Sequence, residues 1–325
     1  MAHTNETMRA AVLVEPGHFA IEERPRPEPG PGEVLLAMEG SGVCASDIPP
    51  FEGRDWFEYP FEPGAPGHEG WGVVEAVGED VDGLAEGDRV AALTYHAYAS
   101  HDVAEAADCV KLPEAIEKTP FPGEPIGCAL NVFERAQIEP GQVVALIGAG
   151  FLGNLICALC AEADARVVAI SRRETSRTFA ERFGAWKTLP LDDHDAVVER
   201  ITEWTGGDLC ERTIECVGKQ GPLDLATRLT GVRGRLVVAG YHQDGVRRVD
   251  MQTWNWRGLD VINAHERDQA IYVRGMRRAV EAIEAGRIDP TPLFTHRFAL
   301  DEIDEAFEAA RAREEGFMKA LIEPN

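Results

Sequence analysis

Cys44, His68 and Glu69 have the side-chain types and spacing to bind a metal ion together. The histidine and the glutamate are adjacent in "PGHEGWG", Pro66 to Gly72, where glycines let the backbone turn tightly and approach closely. A ring nitrogen and a carboxylate oxygen both suit a borderline ion such as Zn2+. By itself the pair reads as a surface turn, with a solvated Glu69 and a hydrogen-bonded His68. Upstream, "GVCASDIPPFEG" places Cys44 in a turn 24 residues before His68. A thiolate, an imidazole and a carboxylate make a chemically sound zinc set, with a fourth position open to water or substrate as in catalytic sites.

A second chemistry is written at Gly148, Gly150, Phe151, Leu152 and Gly153, the "GAGFLG" that follows the apolar run "VVALI" and opens a helical pattern. In that context the first glycine makes a tight turn and Gly150 lets the backbone approach a pyrophosphate. Gly153 lets helix and strand pack closely, and the helix N-terminus favours the negative charge. The next strand ends "AISRRETSR", with Ser171, Arg172 and Arg173 where an acid would bind the ribose hydroxyls of NAD. A hydroxyl and guanidinium groups suit a 2′-phosphate, so the sequence predicts NADP over NAD. NAD stays possible if Glu174 reaches the ribose.

These residues need elements to position them. From Met8 to about Gly123 short β-like runs ("AAVLVE", "EVLLAME", "GWGVVEAVG", "DRVAAL") alternate with Gly and Pro turns, which predicts a mostly β domain over 1–123. From 124 to 285 strands and helices alternate, the pattern of a doubly wound parallel sheet. Residues 286–325 read as strand, helix and strand, expected to return to the first domain. The uncharged stretch from Gln142 to Ala161 has nearly the length of a membrane span, but the glycine turn in its middle predicts a buried strand followed by a buried helix.

Composition excludes several partners. The 325 residues are 44% hydrophobic and 27% charged, an ordinary globular balance. A formal charge of −24 opposes binding to nucleic acid or to anionic membranes. Only five of the 32 basic residues are lysine, and this acidic, lysine-poor composition suits adaptation to high salt, with GC-rich coding as the alternative source of the lysine deficit. The apolar run Ala10 to Val14 is too short for the core of a signal peptide, so a cytoplasmic location is expected. Seven cysteines at uneven spacing predict buried thiols and a metal ligand rather than disulfides; Cys157 and Cys160 read as small core residues on a helix.

Taken together, "GxCxSD", "GHEGxGxVxxVG", "GDRV", "EPxxxAL", "GAGxxG", "IECVG" and the closing "THRF...EAF" resemble the zinc-dependent medium-chain dehydrogenase/reductase family, the alcohol and polyol dehydrogenases. The resemblance covers nearly the whole chain. It implies a GroES-like mostly β catalytic domain beside a Rossmann domain, with the active site in the cleft between them. In the polyol dehydrogenases a further glutamate in an "EP" motif lies near the metal, and Glu124, 24 residues before Gly148, stands at that interval. Cys128 is the alternative, since a cysteine takes this role in the alcohol dehydrogenase branch. The implied metal set is Cys44, His68, Glu69 and Glu124, holding one catalytic zinc. The stretch after "GDRV" has one cysteine, Cys109, and is too short for the loop that binds a structural zinc in many relatives, so none is expected. Pro49 replaces a histidine that several relatives use in proton relay.

The expected activity is hydride transfer between NADP and a secondary alcohol or polyol, or the matching ketone or aldehyde. Ser46 is placed to pass the alcohol proton. A zinc-free quinone or enone reductase, or a non-catalytic cofactor-binding protein, is the alternative. Trp56, Phe57, Trp254, Trp256 and His265 are candidates for pocket lining or for packing. The resemblance also implies a homodimer or homotetramer, paired through the sheet edge near Leu259 to Ile262.

Overall fold

The computed structural model of the chain describes residues 6–116 and 118–324. It opens with β1 (Thr7–Glu15), β2 (His18–Pro25), β3 (Glu33–Gly42), the short α1 (Ile48–Phe51), β4 (Gly70–Val77), β5 (Arg89–Ala92), β6 (His101–Glu105), β7 (Cys109–Lys111) and α2 (Gly123–Ala136). Next come β8 (Val143–Ile147), α3 (Phe151–Glu162), β9 (Arg166–Ile170), α4 (Glu174–Arg182), β10 (Lys187–Leu189), α5 (His194–Trp204), β11 (Cys210–Glu215), α6 (Gln220–Leu229), β12 (Thr230–Val238), α7 (Met251–Arg257) and β13 (Asp260–Asn263). The chain closes with α8 (Gln269–Glu284), β14 (His296–Ala299), α9 (Ile303–Ala312) and β15 (Ala320–Glu323).

Contacts divide the chain into two units. The first comprises Met1–Gly127, Asp268–Glu284 and Asp289–Asn325; the second comprises Cys128–Arg267 and Ala285–Ile288. The strand and helix rhythm assigns 124–285 to one domain, whereas α8 groups with the first unit through its own contacts.

In the first unit the strands run in the order β14-β15-β3-β4-β5-β7, with β6 also paired to β3. The central strands β3, β4, β5 and β15 are buried along half or more of their length, whereas β14 at the edge alternates half-buried with exposed residues. Leu13, Phe19, Phe51, Tyr98 and Phe307 pack in one buried cluster. β15 pairs antiparallel with β3 at Leu321 and Gly42, which brings the end of the chain to the strand that precedes Cys44.

In the second unit every pairing is parallel, in the order β10-β9-β8-β11-β12-β13. All five residues of β8 are buried, because helices cover both faces of such a sheet. The order reverses between β8 and β11, and β13 ends the sheet. The uncharged stretch resolves into β8, the glycine turn and α3. No helix among the described residues is long and apolar enough to cross a membrane.

Candidate active site

The end of β3 and the start of β4 build the candidate metal-ligating cluster. The two strands are antiparallel, with Ser41 opposite Gly70, so the turn after β3 lies beside the residues that precede β4. Cys44 caps the 3-10 turn Ala45–Asp47, and its backbone N–H donates to Asp47 Oδ2 at 3.1 Å. One ligand atom from each of Cys44, His68 and Glu69 lies within 4.8 Å of the others, a span that one ion bridges. Among the described residues this is the group of acids, histidines and cysteines able to hold a metal.

The histidine is oriented from behind. His68 Nδ1 lies 2.9 Å from Pro66 O and 3.3 Å from Asp47 Oδ1. With Nδ1–H donated to these acceptors, Nε2 carries the lone pair that a metal needs. Ser46 Oγ is 3.5 Å from that Nε2. Asp47 is itself buried and held by Tyr98, whose hydroxyl donates to Oδ2 at 2.6 Å. Burial pushes the Tyr98 hydroxyl well above its ordinary range, and the Asp47 carboxylate pushes the same way. Burial acts to lower the proton affinity of His68, but Asp47 and Cys44 outweigh it and raise it well above the usual value. That net negative potential suits a cation.

Glu69 is fully buried. Lys319 Nζ lies 2.6 Å from its Oε1 and 2.5 Å from its Oε2, and also donates to Val43 O at 3.0 Å. The geometry at Oε1 is a hydrogen bond, whereas Oε2 accepts none. We read the contact at Oε2 as ionic, which leaves that buried oxygen with lone pairs for a metal. Burial works to lower the Lys319 pKa, but Glu69, Cys44 and Glu124 together raise it. Gly42 makes the pair sterically possible, because a Cβ there would fall 1.9 Å from Glu69 Oε2 and 2.9 Å from Lys319 Cε.

Glu124, in the first turn of α2, acts on Lys319 through its charge but stands outside the cluster, as does Cys128 one turn further on. The donor set of thiolate, imidazole and carboxylate fits zinc. Sequence reasoning missed Tyr98 and Lys319. The lysine had a signal, a single charge inside the buried run "FMKALI".

The second unit presents the dinucleotide turn. Gly148 has φ +97, a left-handed conformation that favours glycine. A Cβ at Gly153 would lie 2.0 Å from Gly148 O, whereas the space beside Gly150, the N-cap of α3, is open. Phe151 is buried and Leu152 partly buried. After β9, Ser171 is buried, Arg172 exposed and Arg173 partly buried. Arg177 went unnoticed in the sequence; it donates to Ser171 O and Arg172 O, each at 2.7 Å, and so braces that loop.

The aromatic candidates separate. Trp254 Nε1 donates to Thr227 Oγ1 at 3.0 Å and packs, while Trp256 is 89% exposed. Trp56 and Phe57 lie side by side at 5.8 Å, and His265 stacks on Tyr241.

Residues 30–128 match the alcohol dehydrogenase GroES-like domain, and residues 152–280 match the zinc-binding dehydrogenase family. An alcohol dehydrogenase of Cupriavidus necator is 27% identical, the match covering 98% of this chain and 99% of that protein. A sorbitol dehydrogenase of Gallus gallus is 30% identical over 97% of this chain and 96% of its own length. The crystal structure of 2R,3R-butanediol dehydrogenase from Bacillus subtilis superposes with a TM-score of 0.85 at 23% identity, over 98% of this chain and 100% of that one. Its mostly β GroES-like unit, its Rossmann unit and this likeness along its whole length make the chain a member of the zinc-dependent medium-chain dehydrogenase/reductase family of oxidoreductases.

Proposed function

We propose that the protein is a zinc-dependent, NADP-preferring dehydrogenase of a secondary alcohol or polyol, working also on the matching ketone or aldehyde. The observation that carries this reading is the convergence of Cys44, His68 and Glu69 on one point, with His68 oriented by Asp47. Cys44 Sγ, His68 Nε2 and Glu69 would hold the ion, with Glu124 contributing directly or through water. Bound there, zinc would polarise the substrate oxygen as a Lewis acid, and the nicotinamide would supply or accept the hydride.

The chain's own residues do the rest. The Ser46 hydroxyl, beside His68 Nε2, takes the alcohol proton and passes it outward. Asp47 and Pro66 O keep His68 from rotating. Gly148 to Gly153 and the N-terminus of α3 receive the pyrophosphate. Ser171, Arg172 and Arg173 supply a hydroxyl and two cations for a 2′-phosphate, and Arg177 keeps their backbone in place. The sorbitol dehydrogenase likeness supports a polyol or a simple secondary alcohol as substrate.

The test is turnover on a panel of polyols, secondary alcohols and their ketones with NADPH and NADH, before and after chelation. Activity that needs metal and favours NADPH supports the reading. Activity on quinones or enones that survives complete metal removal replaces it with a zinc-free reductase.

A further inference from the structure

The carboxyl ends of β11 and β12 carry a chain of hydrogen-bonded side chains that neither the metal nor the phosphate chemistry uses. Glu215, the last residue of β11, is fully buried. Its Oε1 accepts the backbone N–H groups of Val217 at 2.7 Å and Gly218 at 2.8 Å. Its Oε2 lies 3.0 Å from His242 Nε2. Arg247 Nε donates to His242 Nδ1 at 2.8 Å. A guanidinium only donates, so Nδ1 is the acceptor and the Nε2–H points at Glu215. Arg247 also donates to Gly218 O at 2.9 Å and pairs with Asp244, which Lys219 contacts in turn.

This chain ties together the loops that leave β11 and β12. They meet so closely that a Cβ on Gly240 would sit 2.3 Å from Gly218 N and 2.8 Å from Glu215 Oε2. The first loop also abuts the dinucleotide turn, since a Cβ on Gly148 would fall 2.6 Å from Val217 Cγ2. At the second loop Tyr241 is 45% exposed and stacks on His265, with ring centroids 5.0 Å apart and planes 16° from parallel.

A buried carboxylate is costly unless its lone pairs are satisfied, and an apolar side chain would fill the end of a strand with less penalty. The place in the sheet gives the reason for it here. The strand order reverses between β8 and β11, and a dinucleotide straddles such a reversal with one mononucleotide half on each side. The glycine turn after β8 serves one half; the loops tied by Glu215 lie on the other side.

The geometry points to Glu215, His242 and Arg247 as a positioning relay that fixes the loops 216–218 and 240–242 against the nicotinamide half of the cofactor. The inference rests on the reading of the chain as a nicotinamide-dependent enzyme. It assigns the relay to ordering the nicotinamide half, with no part in holding the adenosine half.

Each reduced cofactor is therefore compared with a fragment that lacks the nicotinamide, NADPH with 2′,5′-ADP and NADH with ADP, by calorimetry on wild type and His242→Phe. The variant's fold is checked by circular dichroism and melting. The relay predicts that the reduced cofactor which wild type binds weakens about ten-fold, the scale of one or two lost hydrogen bonds, while its fragment stays within about two-fold. Arg247→Met, at the outer end of the relay, makes the same comparison if His242→Phe does not fold. Equal weakening of cofactor and fragment, or no weakening of either, overturns the relay. Wild-type protein that binds neither reduced cofactor overturns the nicotinamide reading, and the relay with it.

Discussion

Lys319 Nζ and Glu69 Oε1 lie 2.6 Å apart with both side chains withdrawn from water, so a residue 250 positions away holds the carboxylate next to His68. The pair tethers the last strand of the first unit to the turn that carries His68. Removing one partner leaves a buried charge uncompensated, which costs far more than the pair itself contributes. In metal-free protein, Lys319→Met is expected to lose about 3–5 kcal/mol of stability in urea unfolding. The double variant Lys319→Met/Glu69→Gln should recover most of that loss. Equal losses in the single and double variants would contradict the pairing.

Tyr98 stands one residue behind His68, a proposed metal ligand. Its hydroxyl donates to Asp47, which faces His68 Nδ1, so Tyr98→Phe leaves the ligands in place but loosens their support. Zinc affinity measured by competition with a chromophoric chelator should fall about ten-fold, the low end for loss of a group behind a metal ligand. Affinity unchanged within about two-fold would show that the Asp47 to His68 contact needs no help from Tyr98.

Cofactor selectivity should shift towards NADH on one side chain. Ser171→Asp places a carboxylate at the end of β9, where it would repel a 2′-phosphate and accept from ribose hydroxyls. The ratio of kcat/KM for NADPH to that for NADH should drop at least about ten-fold, a loss of about 1.4 kcal/mol of selectivity. A ratio that does not move would place the selecting group elsewhere.

The thiols divide by reactivity. Burial pushes Cys109, Cys157 and Cys210 up to about 12, and Cys160 and Cys216 well above the usual thiol range. At pH 8 these five hold almost no thiolate, the form that reacts. Iodoacetamide followed by peptide mapping should spare them in the folded protein and label Cys44 only after chelation. Early labelling of any of the five would mean that the segment holding it opens readily.

Self-repulsion among 56 acidic residues against 32 basic ones weakens when salt screens it. The melting temperature should rise from low salt to molar KCl. A flat or falling profile would leave the lysine-poor composition without a role in salt tolerance.

Much of this architecture could be read from the sequence because it rests on local patterns. The β8 strand is apolar throughout since both faces are buried, and Gly148 marks its end because a side chain there would strike Val217. Cys44, His68 and Glu69 stand out as residue types that gain meaning together. Tyr98 with Asp47, Lys319 with Glu69, and Glu215 with His242 do not, because each pair joins separate segments by one hydrogen bond that no spacing announces. The tryptophans show the same limit. Trp254 and Trp256 are two residues apart on α7, yet one packs on Thr227 and the other faces water, a difference set by which side of the helix meets the sheet.

Zinc content of the purified protein beside that of Cys44→Ser, with NADPH binding measured on both, tests the central claim most directly. The account predicts about one zinc per chain in wild type, little in the variant, NADPH binding retained by both, and dehydrogenase activity only where zinc is held. Wild-type protein without zinc but fully active, or a Cys44→Ser variant that keeps both zinc and activity, would contradict it.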